Sequence, residues 1–314
     1  MSSFKKYLEA KDLSKSTITH YNTHALDFIS WLDGETAEPE NATAGDIMAY
    51  LNHLKKKGQG NQTRRFHLNT LKHYFDWHIQ YEKRTDNPAQ HIKIRGIKQQ
   101  ALYPIYSQQE LESLYNNYQL PQENDPRQNR NWWNKYKLSR RRNKAALSLL
   151  VHQGLTTSEI DHLTPKDLKL REGKIYIKGS RKSNERELEL KPHQIMELME
   201  YNLQTRGELI NLTGKQTDQL FVSIGHNTQS NNNWKRLTHI LREQNPKHIN
   251  CKQIRASVIT DWLGKYNLRQ VQYMAGHRYV SSTEAYLVNK LEDLQSDIDQ
   301  YHPLDDEVPL GGTK

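Results

Sequence analysis

Residues 252–286 read KQIRASVITDWLGKYNLRQVQYMAGHRYVSSTEAY and predict two helices followed by the start of a third. Apolar residues recur at helical spacing after Arg255 and again before Gly276, which has the character of a C-terminal helix stop. The Ser281-x-x-Glu284 spacing is that of a capping box, with Ser281 as the N-cap, so we predict that Tyr286 lies in the first turns of the third helix.

The same stretch carries the side chains that phosphodiester chemistry needs. Attack on a phosphodiester builds charge on its non-bridging oxygens, which fixed Arg, His or Lys donors can stabilise without a metal. A tyrosine hydroxyl that attacks the phosphorus forms a phosphotyrosyl ester, which keeps the energy of the broken bond. We therefore predict that Arg255 and His277 bind phosphate, that Tyr286 is a nucleophile, and that no cofactor is needed.

The composition favours a polyanionic partner, which we take to be double-stranded DNA. The 314 residues include 45 Lys and Arg against 36 Asp and Glu, with a net charge of +9 and a pI near 9.3. The single cysteine, Cys251, excludes an internal disulfide and a thiolate metal cluster, and we predict no metal site. We expect a cytoplasmic protein, nucleoid-associated in a bacterium, with neither signal peptide nor membrane span.

Residues 1–92 predict a small helical domain of four or five short helices. Apolar stripes recur at helical spacing, Ser14 or Ser16 and Thr43 are candidate N-caps, and Asn87-Pro88 is predicted to end the last helix. Basic residues around the Gly58-Gln59-Gly60 turn either contact DNA phosphate or form a solvated face. These residues are Lys55, Lys56, Lys57, Arg64, Arg65 and Lys72.

The rest of the chain predicts a linker at 93–106, a second domain at 107–301 and a flexible tail at 302–314. The fold class is mainly α with a small antiparallel β-sheet. In the second domain we predict a capping box at Ser107-x-x-Glu110 and a loop or insertion at 119–142. We also predict a helix from Ala145 to Gly154 and a β-hairpin of Lys174–Ile177 with Arg186–Leu190.

The chain resembles the tyrosine recombinases, or phage-type integrases, in the order of five residues along the sequence. These residues are Lys178, Arg255, Gly276, His277 and Tyr286. The family's signature runs Arg, Lys, His-x-x-Arg, His or Trp, and then the nucleophilic Tyr. The resemblance spans nearly the whole chain, since residues 1–92 are similar to the family's SAM-like core-binding domain. It implies cutting of one DNA strand to a 3′-phosphotyrosyl link and a free 5′-hydroxyl, followed by strand exchange and rejoining.

The resemblance also implies a role for each matching residue. Lys178, at the end of the first hairpin strand, would protonate the departing 5′-oxygen as general acid. Arg255 would hold two phosphate oxygens, and His277 would donate to the same phosphate. Lys252 stands where the family usually has His, and it is similar to the Lys-x-x-Arg of type IB topoisomerases.

One departure from the family concerns Thr156. The chain reads Gly-Leu-Thr-Thr-Ser-Glu at 154–159, where the family has Gly-Leu-Arg-x-Ser-Glu. Thr156 thus stands at the position of the family's first arginine, and its neutral hydroxyl cannot replace the positive charge of a guanidinium. Losing one of two guanidiniums should cost on the order of 3 kcal/mol of transition-state stabilisation. Some mobile-element integrases resemble this chain in having a small hydroxyl residue here. Candidates to supply the missing guanidinium are Arg140, Arg141, Arg142, Arg181 and Arg186, of which the last two are also predicted to bind DNA.

These patterns predict a site-specific recombinase, either an integrase or transposase of a mobile element or, as a close alternative, a resolvase. Thr156 and Lys252 support a different class, a DNA-binding protein that has lost catalysis, and a type IB topoisomerase is a third. The resemblance implies a homotetramer, a dimer of dimers, on DNA. An apolar stripe predicts a C-terminal helix that packs on a neighbouring subunit or on its own domain, formed by Leu287, Val288, Leu291, Leu294 and Ile298.

Overall fold

The computed structural model describes residues 2–34, 39–96, 103–122, 124–225 and 231–287. The chain divides into two compact units, residues 1–101 and 102–314. Within the described ranges, no helix combines the length and the apolar character that a membrane span requires. The predicted tail at 302–314, and all of the predicted C-terminal stripe except Leu287, lie outside the described residues.

The first unit contains four helices among its described residues, as the sequence predicted. They are α1 (Ser2–Ala10), α2 (Lys15–Gly34), α3 (Ala44–Lys56) and α4 (Asn61–Gln80). Their apolar stripes meet in one core that includes Phe28, Leu32, Ile47 and Phe75, all fully buried. The core forms because each stripe repeats at helical spacing and so covers one face of its helix.

The caps of these helices are partly as predicted. Ser14 accepts from the backbone N–H of Thr17 at the start of α2, and Thr43 forms a capping box with Asp46 at the start of α3. The prediction that Asn87-Pro88 ends α4 is wrong. The helix ends at Gln80, because the chain turns into the left-handed region at Glu82, where φ is 56°.

Two histidines of α4 are buried in this core. His67 hydrogen-bonds the Tyr50 hydroxyl through Nδ1 at 3.0 Å, and both ring nitrogens of His78 lack a partner among the residues described. Burial is the main cause that lowers the pKa of each ring to about 4. Both rings are therefore neutral in the folded protein at neutral pH.

We expect the first unit to lose stability as the pH falls from about 6.5 towards 4, because the unfolded chain then binds protons that the folded His67 and His78 do not. Each ring should contribute about 1–2 kcal/mol to this loss at pH 5. Urea unfolding at pH 7 and pH 5 measures it. His78→Leu should reduce the pH dependence, whereas His20→Leu, at an exposed position, should not; equal dependence in both variants would contradict the prediction.

The second unit is also mainly helical over its described residues. Its helices are α5 (Gln108–Asn116), α6 (Trp133–Gln153), α7 (Thr157–His162), α8 (Pro192–Glu200), α9 (Arg206–Thr213), α10 (Asn231–Gln244), α11 (Cys251–Lys265), α12 (Leu268–Ala275) and α13 (Ser281–Glu284). A π-helical turn, Tyr201–Thr205, joins α8 to α9. The long α6 and α11 pack against each other at the centre of one continuous core.

A small antiparallel sheet lies beside these helices. Its strands β1 (Leu168–Lys169), β2 (Lys174–Ile177) and β3 (Arg186–Glu189) follow in the order β1-β2-β3. Ile175 pairs with Leu168 on one side and Leu188 on the other. The predicted hairpin and the mainly α fold class are thus confirmed, while β1, with two residues, is too short to be visible as a sequence pattern.

The predicted loop at 119–142 is wrong over its second half. Helix α6 begins at Trp133, twelve residues before the predicted start at Ala145, so the three arginines at 140–142 are helical. Residues at both ends of the predicted linker 93–106 are packed: Ile94 contacts the core of the first unit, and Tyr106 is buried in the core of the second. The capping box at Ser107 is confirmed.

Candidate functional site

The candidate site lies in an open cleft of about 860 Å³ in the second unit. Three elements supply its basic side chains: the β2–β3 hairpin, the start of α11 and the turn after α12. The four basic residues from the predicted set that line the cleft are Lys178, Lys252, Arg255 and His277. The fold therefore brings together residues that are separated by up to a hundred positions in the sequence.

Arg255 is the most firmly held of these side chains. Its Nη1 donates to the carbonyl of Gly154 at 2.6 Å, and its Nη2 donates to the carbonyl of Ala275 at 2.7 Å. The flanking helices α6 and α12 end at Gly154 and Gly276, and both glycines adopt the left-handed conformation. The carbonyls at these two helix ends have no partner within the helix and accept from the guanidinium. The guanidinium of Arg255 is held in one orientation, because two helix ends bind its planar group.

His277 is neutral in this arrangement. Burial is the first cause, and the charges of Arg255 and Arg186 add to it, so that the pKa of His277 falls to about 4. Its Nε2 accepts from Nη2 of Arg255 at 3.3 Å, which places the proton on Nδ1, 2.8 Å from the Thr283 hydroxyl. Because a hydroxyl can donate or accept, this hydrogen bond is compatible with either neutral tautomer, with the proton on Nδ1 or on Nε2.

Tyr286 lies beside this histidine. The two rings are stacked, with centroids 5.8 Å apart and an interplanar angle of 11°. The predicted capping box is wrong: the N-cap of α13 is Val280, without a side-chain bond, and the helix is four residues long. Tyr286 therefore lies in the turn after α13 instead of in the first turns of the predicted helix.

Lys178 stands at the end of β2, where the hairpin meets the cleft. Its Nζ lies 3.8 Å from the buried carboxylate of Asp167, and 58 % of its side chain is exposed. The loop beyond it is attached to the turn that carries His277: Asn184 donates its N–H to the Gly276 carbonyl at 2.9 Å, and Arg278 donates to the Ser180 carbonyl at 3.1 Å. We call these two hydrogen bonds the hairpin clasp.

Thr156 does not supply charge to the cleft. It is the N-cap of α7 and forms a capping box with Glu159, whose Oε2 accepts from the Thr156 N–H at 2.8 Å and from its hydroxyl at 2.9 Å. The same Oε2 lies 3.7 Å from Nη1 of Arg255. A carboxylate therefore stands in the wall of a cleft that is otherwise suited to an anion.

The arginines predicted to fill the place of the missing guanidinium lie elsewhere. Arg140 donates to the Gln119 carbonyl, Arg141 pairs with Glu200, and Arg142 is buried against the Val222 carbonyl. None of these three lines the cleft. They are held on α6 by local structure, so this part of the prediction is wrong.

Arg181 and Arg186 differ from each other. Arg181 is exposed on the hairpin loop, where a DNA contact stays a prediction. Arg186 has a side chain with no exposed surface and bonds Glu159 Oε1 at 2.7 Å through Nη1. Direct contact of Arg186 with DNA, as predicted, is therefore wrong for this structure, because β3 turns the side chain inwards.

The basic residues of the first unit also divide into two groups. Arg64 donates to Asn61 at 2.6 Å and Lys72 donates to the Gln90 carbonyl at 3.0 Å, so both have structural partners. The side chains of Lys55, Lys56, Lys57 and Arg65 are exposed. Phosphate contact by these exposed residues stays a prediction.

Three residues of the site escaped the sequence analysis. Glu159 pairs with Arg186, Asp167 lies near Lys178, and Thr283 is hydrogen-bonded to Nδ1 of His277. A signal for two of them exists, since Thr156-x-x-Glu159 and Thr164-x-x-Asp167 both have capping-box spacing. In the described part of the chain, no group of three or more His, Cys, Asp or Glu side chains is arranged to hold a metal ion.

Comparison with protein families gives two matches that together cover most of the chain. Residues 128–292 match the family model described as "Phage integrase family". Residues 1–82 match the model described as "Phage integrase, N-terminal SAM-like domain". The first match alone spans more than half of the chain, and the second covers the helical unit predicted to be SAM-like.

Individual proteins match over nearly the full length. The chain is 28 % identical to "Tyrosine recombinase XerD" of Oceanobacillus iheyensis over 298 residues, which are 93 % of this chain and 94 % of that protein. It is 26 % identical to "Tyrosine recombinase XerC" of Salmonella typhi, over 96 % of this chain and 95 % of that one.

Two solved structures share the fold. The XerH site-specific recombinase bound to a palindromic difH substrate has a TM-score of 0.67 at 18 % identity, over 93 % of this chain and 82 % of that one. The Tn1549 transposon integrase in complex with circular intermediate DNA has a TM-score of 0.63 at 16 % identity, over 91 % of this chain and 94 % of that one.

Proposed function

Because the chain belongs to the phage integrase family of tyrosine recombinases, whose members cut and rejoin DNA strands, we propose that it is an active site-specific DNA recombinase that uses Tyr286 as nucleophile. The observation that carries the proposal is the convergence of three groups. Arg255 lies 3.3 Å from His277, and the His277 ring stacks on Tyr286.

The reaction follows from this placement. The Tyr286 hydroxyl loses its proton to solvent and its oxygen attacks the phosphorus. A Tyr–O–P bond forms and the P–O5′ bond breaks, which leaves a 3′-phosphotyrosyl link and a 5′-hydroxyl. Arg255 and Lys252 face the charge that develops on the non-bridging oxygens, and His277 donates to it through Nε2 after its proton has moved. Lys178 gives its proton to the departing 5′-oxygen. Rejoining is the reverse of these steps with a new 5′-hydroxyl.

Within this chemistry we place the protein as an integrase or transposase of a mobile element. Thr156 supports that setting, since some mobile-element integrases resemble this chain in having a small hydroxyl residue at this position. The full-length likeness to proteins named XerC and XerD favours a resolvase as the second candidate. In either setting four copies act on two duplexes, as the family resemblance implies.

A test uses nicked duplexes cut from the DNA that flanks the gene, with no metal ion or nucleotide added. We expect wild-type protein to form a complex with one strand that survives SDS, because a nick lets the 5′-hydroxyl fragment diffuse away and traps the phosphotyrosyl link. Two intact duplexes with the same site should yield recombinant strands.

Two outcomes would support other functions. A duplex that shifts on a native gel but gives no SDS-resistant complex with wild type would favour a DNA-binding protein without catalysis. Relaxation of an unrelated supercoiled plasmid, without preference for the flanking DNA, would favour a type IB topoisomerase. Excision and joining tested separately would distinguish a mobile-element integrase from a resolvase.

A further inference from the structure

Glu159 poses an electrostatic problem for phosphate binding. The carboxylate is 10 % exposed and stands 3.7 Å from Arg255, the residue expected to bind the anionic substrate. A buried charge without a counter-ion is costly, and a negative charge here would also hold Arg255 away from phosphate. Thr156 gives this carboxylate two hydrogen bonds but no charge.

Arg186 supplies the positive charge that pairs with the Glu159 carboxylate. Its Nη1 donates to Glu159 Oε1 at 2.7 Å, while Thr156 occupies Oε2, so the two partners use different oxygens. Burial alone would raise the pKa of Glu159, but the hydrogen bond and charge of Arg186, aided by Arg255, lower it. Glu159 is therefore ionised and neutralised mainly by Arg186.

The position of Arg186 also depends on the turn that carries His277. Its Nε donates to the Met274 carbonyl at 2.8 Å, close to the end of α12. A Cβ atom at Gly276 would overlap the guanidinium and would lie 3.1 Å from the Asn184 carbonyl oxygen. The absence of a side chain at Gly276 thus leaves the space in which Arg186 lies under the turn.

We propose that Arg186 is a positioning residue for recombination, which neutralises Glu159 and supports the His277 turn so that Arg255 stays free for the scissile phosphate. This inference rests on the proposed function and assigns a means by which a chain with Thr156 in the cleft can remain active. Arg186 acts through Glu159 and does not itself touch DNA, since its side chain is fully buried.

The inference predicts a specific pattern of rescue. Arg186→Met should reduce formation of the SDS-resistant complex about 100-fold or more, because it leaves a buried carboxylate beside Arg255. Adding Glu159→Gln in the same chain should restore the rate to within about tenfold of wild type, because the repelling charge is gone. The rate of Arg186→Met alone should also rise relative to wild type when the pH is lowered to 5.5, through protonation of Glu159, and the double variant should lack this rise.

A neighbouring ion pair provides the matched control. Lys169 on β1 and Glu187 on β3 pair across the central strand of the same sheet, and both side chains are about one third exposed. Lys169→Met, with and without Glu187→Gln, should change the rate less than about threefold. Thermal melting of every variant separates loss of folding from loss of positioning.

Two results would overturn the inference. If Arg186→Met with Glu159→Gln folds but stays as inactive as Arg186→Met, then neutralising Glu159 is not how Arg186 supports recombination; if Arg186→Met is as active as wild type, Arg186 has no role in it. Should wild type bind the duplex without cutting it, the proposed function fails. The inference is then judged on duplex affinity in a Tyr286→Phe background, where the same loss and rescue are expected.

Discussion

Tyr286→Phe is expected to abolish the SDS-resistant complex, with a fall of at least about 1,000-fold in cleavage rate, because no other group replaces a lost nucleophile. The hydroxyl is the only atom removed, and the stacked contact with His277 is between rings, so the fold and DNA affinity should stay near those of wild type. A denaturing gel with labelled nicked duplex measures the first quantity, and a native gel measures the second.

Two neighbouring tyrosines serve as controls for this variant. Tyr273 lies on α12 and Tyr279 in the turn before α13, and they are 55 % and 71 % exposed. Tyr279→Phe should leave the covalent complex within a few-fold of wild type. The Tyr273 hydroxyl accepts from the Glu187 N–H, and Tyr273 is not among the residues that line the cleft, so Tyr273→Phe should have a similarly small effect. Loss of the complex in Tyr279→Phe, with Tyr286→Phe active, would transfer the nucleophile to Tyr279.

Lys178→Ala is expected to lower cleavage of a normal strand by about 10²- to 10⁴-fold, the range in which a general acid contributes. Its role can be separated from simple phosphate binding by replacing the bridging 5′-oxygen with sulfur. A thiolate leaves without protonation, since a thiol has a pKa near 8.5 and is far more acidic than an alcohol. The deficit of Lys178→Ala should then shrink to within about tenfold.

Lys182 is the competing candidate for this acid. It lies in the same hairpin loop and lines the same cleft as Lys178. Any loss of cleavage rate in Lys182→Ala should be equal for the oxygen and the sulfur substrate, as expected of a residue that binds phosphate without protonating the leaving group. If sulfur restores Lys182→Ala and leaves Lys178→Ala inactive, the assignment of the general acid is wrong.

Helix ends and apolar stripes could be predicted from the sequence because each rests on local chemistry. Gly154 and Gly276 end helices in the left-handed conformation that glycine adopts without strain, and Thr43 caps α3 through its own side chain. The cleft residues matched a known order of residue types. Their convergence depends on long-range packing of α6 against α11, which no local pattern contains.

The errors arise where tertiary contacts override local patterns. The first turns of α6 are polar and lack an apolar stripe, and Arg142 is held there by the carbonyl of Val222, 80 residues away. The burial of Arg186, in contrast, could have been predicted. Arg186 and Leu188 on β3, and Leu190 directly after it, alternate with exposed or half-buried residues and are all buried, so the period of two indicates that the arginine lies on the apolar face.

The hairpin clasp has a consequence for the order of events in the reaction. Because the loop that carries Lys178 is bonded to the turn that carries His277, neither can be withdrawn without breaking contacts to the other. In the reaction that we propose, a displacement that takes the general acid out of the cleft would therefore also displace the residue that donates to phosphate. The two groups would be lost together and not one at a time.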